Sequence, residues 1–314
     1  MTNAGSSSLA IVIVNYNSAP EILACLRSLE QNFASNRCEI IVADNGSTDS
    51  SIALITAQYP HVRVLLLHEN RGFAAACNAG MQAAVGTNIL LLNPDTEADC
   101  AAVSALFGAL QEHPQWGIVG ARMVNGAGRP YRAARRLPTV RDLVFSATGL
   151  ARLFPHSPYW NGYLYGERAL ESLDEVEQVE GSCLLISAAA RQAVGDLDER
   201  FFIFFEEVDW CKRVREAGFE IHVVPSVEVK HHISTTMGRH YERTREYHAQ
   251  SAMAYFRKHH GESGYRALRR AMRWALMLRA AMTGLPALLN IGNMRRRFSG
   301  TLRELATYRR GLSA

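Results

Sequence analysis

Residues 70–97 read NRGFAAACNAGMQAAVGTNILLLNPDTE, and this stretch decides the fold. It opens on an Asn-Arg-Gly loop, continues as a small-residue segment with helical spacing over 73–84, and enters an apolar run at 88–92. It ends in Asn93, Asp95 and Glu97. A short apolar run between a helix and a Pro-containing turn is a strand buried on both faces, as in a parallel sheet flanked by helices. In open sheets of that kind, ligands gather outside the carboxyl ends of the strands. The polar cluster therefore falls where a metal ion and a phosphorylated ligand would sit.

Working outward, apolar runs at 9–14 (LAIVIV), 39–43 (EIIVA), 62–67 (VRVLLL) and 117–124 (GIVGARMV) alternate with helix-like segments at 19–32, 49–58 and 99–112. This alternation predicts an α/β fold with a mostly parallel central sheet. Asp49 is placed to cap helix 49–58, and Pro114 to follow helix 99–112. From 125 to 175 the period lapses into Gly, Pro, Arg and aromatic residues, as expected of a functional loop or lid. Regularity returns at 179–187, in a helix over 206–217 closed by Gly218, and in strands at 220–224 and 227–231. Three helices are expected near 240–259, 264–283 and 293–310.

The chain has 314 residues, 48% hydrophobic and 20% charged, which fits one large globular domain or two modest ones and excludes a disordered chain. The six cysteines form no Cys-x-x-Cys pair and residues 1–8 carry no secretory pattern, so a reducing cytosol is expected. The net charge of +4 conceals a division. Residues 264–314 hold eleven arginines, no lysine and one acid, a surplus of ten positive charges that leaves the rest of the chain at minus six.

A basic helical tail on an acidic body points to an anionic surface as partner. No nucleic-acid partner is expected. Drawn as a helix, 266–282 puts Leu268, Ala271, Met272, Ala275, Leu278 and Met282 on one side, and Arg266, Arg269, Arg270 and Arg273 on the other. No stretch there approaches the roughly 20 apolar residues of a membrane span, so an interfacial helix is expected. A helix packed on the rest of the protein, its arginines in water, is the alternative.

Several clusters carry chemistry. Asn15-Tyr16-Asn17 ends the first strand, and Asp44-Asn45-Gly46-Ser47-Thr48-Asp49 ends the second. Carboxamides and carboxylates at strand ends can read a base and a ribose, although the second cluster is also a good turn sequence. Arg71 and Gly72 precede a small-residue helix bearing Asn78. A helix amino terminus favours anions and an arginine there can grip a diphosphate, while close helix-to-sheet packing selects the same small residues.

Asn93, Asp95 and Glu97 offer oxygen ligands suited to Mg²⁺ or Mn²⁺. Asp95 and Thr96 would equally suit a cap ahead of helix 99–112. Glu206, Glu207 and Asp209 follow the aromatic run FFIFF and sit at a helix amino terminus, where negative charge is favourable. Mutual repulsion and an apolar wall would raise one of their pKa values and make it a general base. His231 and His232 close the strand VEVKHH, and a neutral imidazole there can complete a mixed oxygen and nitrogen metal shell.

Taken in order, IVIVNYNS, IVADNGSTDSS, NRGFAAACNAG, LLLNPDTE and the run from VEGSCLLIS to VEVKHH resemble the family 2 inverting glycosyltransferases, in particular the bacterial rhamnosyltransferase-like branch. The resemblance covers roughly residues 9–236. It implies a GT-A nucleotide-sugar-binding domain over 1–260 with a C-terminal helical extension over 261–314. By resemblance, Asn15 and Asp44 lie near the nucleoside, with Asn17, Asn45, Arg71, Gly72 and Asn78 in the neighbouring donor motifs. Asn93 and Asp95 take the outer places of a D-x-D metal motif, Asp95 is the metal ligand, and His231 supports metal and diphosphate.

Glu207 takes the place of the acceptor-site base. Two departures stand out: Asn93 replaces the first aspartate of the metal motif, and Glu207 replaces an aspartate, which leaves Glu206 or Asp209 as substitutes. The implied reaction is a metal-assisted single displacement from dTDP-L-rhamnose to a glycan or lipid-linked saccharide in cell-surface polysaccharide synthesis. It would take place on the cytoplasmic face of a bacterial inner membrane. UDP-hexoses and UDP-galactofuranose are the alternative donors. A nucleotidyltransferase would lead with a glycine-rich basic loop where this chain has NYNSAPE, and a non-catalytic sugar-nucleotide-binding subunit would not need the acidic cluster.

Overall fold

The computed structural model describes residues 8–30, 38–167, 175–232, 241–288 and 293–312. Residues 31–32 of the first expected helix, 168–174 of the expected loop, Ser234 to Thr236 and residue 240 lie outside the described residues. The chain forms two compact units. One comprises Met1–Arg135, Ala169–Glu199 and Glu206–Ser234, and the other Arg136–Arg168, Arg200–Phe205 and Thr235–Ala314.

The first unit is built on eight strands: β1 (Leu9–Asn15), β2 (Cys38–Asp44), β3 (Arg63–Leu66), β4 (Asn88–Leu92), β5 (Thr96–Glu97), β6 (Trp116–Asn125), β7 (Cys183–Ile186) and β8 (Glu220–His231). They hydrogen-bond in the order β3-β2-β1-β4-β7-β6-β8-β5. The pairs β1–β2, β1–β4, β2–β3 and β6–β8 are parallel, and β4–β7, β6–β7 and β5–β8 antiparallel. The sheet is thus mixed with parallel pairing in the majority, an α/β fold. Four helices accompany its first half: α1 (Ala19–Ser28), α2 (Ser51–Gln58), α3 (Phe73–Ala83) and α4 (Cys100–Glu112).

Burial explains why β1 and β4 read as continuous apolar runs, since every residue of both is buried. Ile11, Ile13, Leu90 and Leu92 share one core cluster with Ile22 and Leu26 of α1 and with Val103 and Leu106 of α4. Each such side chain contributes about 1.5–3 kcal/mol by leaving water. On α3, close packing accounts for the small residues. A Cβ on Gly80 would stand 2.4 Å from Val12 Cγ1, so nothing larger fits there without displacing β1 or α3.

The structure departs from the sequence-based expectations in four places. The strands expected at 220–224 and 227–231 are one strand, β8, whose register on β6 shifts between Ala121 and Arg122. Pro225, which has no N–H to donate, lies in that irregular stretch. The short β5 was not expected. Helix α4 is capped by Asp99, whose Oδ1 accepts from Ala102 N at 2.7 Å, which frees Asp95 and Thr96 from the capping role.

The fourth departure is the segment read as a loop or lid over 125–175. It contains α5 (Val140–Thr148) and α6 (Leu150–Leu153), with Thr139 and Asp142 closing a capping box on α5. The Thr-x-x-Asp signal for that helix is present in the sequence. Two further helices belong to the first unit, α7 (Ala188–Val194) and α8 (Glu206–Glu216), the second followed by Gly218 at φ 88° as expected.

The second unit holds α5, α6 and two long C-terminal helices, α9 (Tyr241–Leu288) and α10 (Met294–Arg310). The expected break between 259 and 264 is a kink at Gly261, φ 64° and ψ −169°. Leu268, Met272, Ala275 and Leu276 of α9 and Leu305 and Tyr308 of α10 are buried. Arg245–Glu304 (2.9 Å), Arg303–Glu242 (2.6 Å) and Arg310–Glu246 (2.6 Å) tie the two helices together. Arg269 donates to the backbone oxygens of Tyr308 and Arg309, satisfying the last carbonyls of α10.

The apolar side expected to face an interface is therefore divided: Leu268, Met272 and Ala275 are buried in protein, and Leu278 and Met282 are exposed. Among the described residues, no helix is long and apolar enough to cross a membrane.

Candidate active site

The parallel register of β1 and β2 sets Asn15 beside Asp44. Asn15 Nδ2 is 2.8 Å from Asp44 Oδ1 and 2.8 Å from Ser51 Oγ, and its Oδ1 accepts from Ser18. Asp44 Oδ2 accepts from Ser47 N at 3.1 Å. Asn17, in a left-handed conformation at φ 51°, accepts through Oδ1 from Thr48 N and Asp49 N. Asn45 Oδ1 accepts from Arg71 N, and its Nδ2 donates to Asn70 Oδ1 and Gly72 O. The loops after β1, after β2 and before α3 are thus knitted into one rim carrying Asn15, Asn17, Asp44, Asn45, Arg71 and Gly72.

The turn chemistry of Asp44-Asn45-Gly46-Ser47 is real, with Gly46 at φ 80°, and the same bonds hold the candidate donor residues in position. Asn78 lies apart from the rim. Its amide is taken up by Leu197 N, Leu197 O and Glu199 Oε1, so it ties α3 to the 195–199 turn.

At the end of β4 the antiparallel pairing of β5 with β8 places Thr96 opposite His231. That register brings His231 Nε2 to 3.2 Å from Asp95 Oδ1, and His232 N donates to Asp95 O at 2.9 Å. Tyr131 OH is 2.6 Å from His231 Nδ1, and Glu180 Oε1 is 4.0 Å from it. Burial pulls the His231 pKa down, but the hydrogen bond and charge of Asp95 and the charge of Glu180 outweigh it, and the net direction is upward.

Glu180 continues the line toward the third cluster. Its Oε2 lies 3.9 Å from Arg135 Nη2, and both Arg135 and Glu180 act on the carboxyl of Glu207. A Cβ on Gly181 would stand 3.4 Å from Glu207 Cβ, so the segment before β7 packs directly on the base of that side chain. Burial raises the Glu207 pKa, opposed in part by Arg135 and reinforced by Glu180. Glu206 is pushed well above the usual carboxylate value by burial and by the charge of Glu207. Just before them, Phe204 and Phe205 hold φ of 69° and 68°, a strained conformation for bulky residues of the kind found where position matters more than stability.

Asp209 is not part of this group. It is fully buried and bonded to Arg213 Nε at 2.8 Å, while Arg213 also donates to Val194 O and Asp196 O. That pair is a strut within the fold. Tyr131, Arg135 and Glu180 were missed by sequence reasoning. Only Glu180 carried a signal, as the carboxylate of Val-Glu-Gly-Ser just ahead of β7.

Buried polar atoms without a hydrogen-bond partner concentrate here: Asn93 Oδ1, Glu180 Oε2, Glu206 Oε2 and Glu207 Oε2. Each such atom costs about 1–3 kcal/mol, so their accumulation marks a place built for a ligand. Among the described residues, no three His, Cys, Asp or Glu side chains converge into a closed metal cage. The donor set at Asp95, His231 and the unpartnered Asn93 oxygen fits a hard divalent cation that keeps most of its positions for phosphate oxygens and water.

An open α/β sheet with carboxamides, an arginine and carboxylates at its strand ends has the architecture of a GT-A-like fold. Comparison with known proteins gives the family: residues 10–172 match the model of "Glycosyl transferase family 2", and the chain belongs to that family and is a glycosyltransferase. It is 31% identical over 285 residues to the N-acetylglucosaminyl-diphospho-decaprenol L-rhamnosyltransferase of Mycobacterium tuberculosis, covering 87% of this chain and 91% of that one. It is 21% identical to the dTDP-rhamnosyl transferase RfbF of Shigella flexneri over 81% of this chain and 82% of that one. Among solved structures, a mannosyltransferase from Pyrobaculum calidifontis in complex with GDP-Man and Mn²⁺ superposes with a TM-score of 0.57 at 16% identity. The match covers 95% of this chain and 85% of that one, and it supports the fold.

Proposed function

We propose that this glycosyltransferase moves L-rhamnose from dTDP-L-rhamnose to a hydroxyl of a lipid-linked saccharide or growing cell-surface glycan, by a single displacement with inversion. The observation that carries the chemistry is the line of ionisable groups from Asp95 and His231 through Glu180 and Arg135 to Glu207. The choice of sugar and acceptor is supported by what the mycobacterial and Shigella relatives are named for. UDP-hexoses and UDP-galactofuranose are the competing donors.

In this reading Glu207 takes the proton of the acceptor hydroxyl as that oxygen bonds to the anomeric carbon. The bond from that carbon to the diphosphate oxygen breaks, and its electron pair leaves with the diphosphate. A raised pKa suits Glu207 to the task, because a base works best when its pKa approaches the working pH. Burial is the main cause of that rise, with Arg135 lowering the pKa and Glu180 raising it. Asn15, Asn17, Asp44 and Asn45 hold the nucleoside end, and Arg71 with the amino terminus of α3 meets the diphosphate. Asp95 and His231, with Asn93 beside them, would hold Mg²⁺ or Mn²⁺, which neutralises charge on the leaving diphosphate when bound. No covalent enzyme intermediate is required.

We assign residues 1–260 to the transferase domain and 261–314 to a basic tail that meets an anionic membrane surface, with the enzyme peripheral on the cytoplasmic face. The test is transfer by purified protein to a lipid-diphosphate-linked N-acetylglucosamine, with dTDP-L-rhamnose, UDP-hexoses and UDP-galactofuranose offered in turn and the product read by NMR. A rhamnosylated product of inverted anomeric configuration is expected. Transfer from a UDP-sugar alone overturns the donor, and retained configuration overturns the single displacement.

A further inference from the structure

Both ring nitrogens of His231 are engaged, each by a different part of the fold. Nε2 lies 3.2 Å from Asp95 Oδ1, and Nδ1 lies 2.6 Å from the hydroxyl of Tyr131. A neutral imidazole presents one N–H and one lone pair, and in metal-binding histidines the partner of the second nitrogen decides which is which. Tyr131 is that partner here.

The chain builds a support for it. After β6 it turns back on itself: Asn125 Oδ1 accepts from Ala127 N and Arg129 N, each at 3.0 Å, Gly128 stands at φ 74°, and Asn125 N donates to Arg129 O. A side-chain carboxamide that takes backbone N–H groups in this way fixes a turn. Val124 and Pro130 then form an antiparallel bridge, and Tyr131 N donates to Met123 O at 3.1 Å. Asn125 is also the residue of β6 in register with His231 of β8. The turn thus lays Tyr131 along the strand that β8 pairs with, and its hydroxyl reaches the imidazole. The ring of Tyr131 also packs against the core, which a phenylalanine would do as well, so the hydroxyl is the part that packing leaves unexplained.

The direction of the bond follows from what surrounds the phenol, which has a single proton to give. The Tyr131 phenol is buried, and the Glu180 carboxylate acts on it by charge and as a hydrogen-bond partner. Hydrogen bonds to a charged acceptor are the stronger ones, so the phenol proton goes to Glu180 and the phenol oxygen accepts from His231 Nδ1–H. The lone pair of the ring is then on Nε2, on the side of Asp95. In the opposite arrangement the phenol donates to Nδ1, the imidazole proton sits on Nε2, and Nε2 is closed to a cation.

We propose that Tyr131 is a positioning residue whose hydroxyl turns the Nε2 lone pair of His231 toward Asp95 and the divalent cation. The proposal rests on the reading above that Asp95 and His231 hold that cation, and it names the group that orients one of them.

The test is titration of the full-length protein with Mn²⁺ in the presence of dTDP, with free Mn²⁺ read by electron paramagnetic resonance. Tyr131→Phe keeps the ring and removes the hydroxyl. It should weaken Mn²⁺ binding on the order of tenfold, with dTDP affinity in the absence of metal unchanged and the melting midpoint as folding control. Weakening by His231→Ala but not by Tyr131→Phe overturns the positioning role alone. Mn²⁺ affinity untouched by His231→Ala overturns the cation site and the role with it. A second measurement needs no Tyr131 variant and decides the matter even if Tyr131→Phe folds poorly. In histidine-selective nitrogen NMR of protein loaded with Mg²⁺ and dTDP, the His231 signal, identified by its loss in His231→Ala, should carry its proton on Nδ1, and a proton on Nε2 overturns the proposal.

Discussion

His231 Nε2 stands 3.2 Å from Asp95 Oδ1 because β5 pairs with the last two residues of β8. This contact joins the turn after β4 to the end of β8. It also gives the short, two-residue strand a role: together with the bond from His232 N to Asp95 O, it fixes the distance between the two candidate ligands.

Removing the Asp95 carboxylate should therefore damage two things. Asp95→Ala is expected to abolish transfer, and donor affinity should fall chiefly when Mg²⁺ or Mn²⁺ is present. Asn93→Ala should be milder, since a neutral carboxamide oxygen contributes less to a cation than a carboxylate. Titration of dTDP into each variant with and without metal checks this, and normal metal dependence in Asp95→Ala would reject the ligand assignment.

Glu207→Gln keeps the shape of the side chain but cannot accept a proton, so turnover should fall by about 10²–10⁴ with dTDP binding retained. The pH profile carries a sharper signature. A base must be ionised, and burial raises the Glu207 pKa above the usual carboxylate value, so activity should fall on the acid side at a higher pH than for an exposed glutamate. Glu180→Gln removes a like charge and should move that limb to lower pH. Arg135→Met removes a favourable charge and should move it to higher pH. A limb unmoved by both changes would point away from Glu207.

The sheet and the polar rim at its strand ends were legible because period and strand-end polarity are local signals. Runs such as LAIVIV and NILLL are buried end to end, and Asn15, Asp44 and Asn45 sit at strand ends where the sequence put them. Tyr131 and Arg135 were invisible for the opposite reason. They reach the site through tertiary contacts from an irregular segment, and no spacing marks them, whereas Glu180 lies just ahead of β7.

Asp209 shows the limit from the other side. Three carboxylates in four residues read as one cluster, yet helical geometry turns Asp209 inward to Arg213 while the partly buried Glu207 feels the charge of Glu180. Helices run through the tail, and the apolar side drawn on 266–282 is part buried and part exposed. The sequence could not say that α10 would bury part of that side.

The Asp209–Arg213 strut makes a stability prediction distinct from catalysis. Asp209→Asn leaves the Arg213 charge with a neutral partner in a buried site, and loss of one member of such a pair costs about 3–5 kcal/mol. A lowered melting midpoint with the pH profile of the wild type is expected. Glu206→Gln should do the reverse. A carboxyl whose folded pKa is raised contributes stability below its unfolded pKa and loses it as pH rises through the folded one. The amide should therefore raise the midpoint near neutral pH, and the gain should vanish in acid below the usual carboxylate range. Melting curves at both pH values decide it.

Membrane association calls for a different design from deleting residues 264–314, because that segment supplies buried core. Leu268, Met272, Leu276, Leu305 and Tyr308 would all be lost, and the remaining helical unit would expose apolar surface that adheres to vesicles for the wrong reason. Exposed side chains of α9 offer a cleaner handle: Arg266, Arg270, Arg273, Trp274, Leu278 and Met282 are all exposed. Each arginine near an anionic bilayer contributes roughly 1 kcal/mol, and that attraction is screened by salt. The full-length protein should float with phosphatidylglycerol vesicles and not with phosphatidylcholine vesicles. The triple Arg266→Ala, Arg270→Ala and Arg273→Ala variant should require less salt for release, with an unchanged melting midpoint. Trp274→Ala should weaken flotation at every salt concentration, because its share is apolar. Failure of the wild-type protein to float with either vesicle at low salt would make a soluble-acceptor enzyme the better reading.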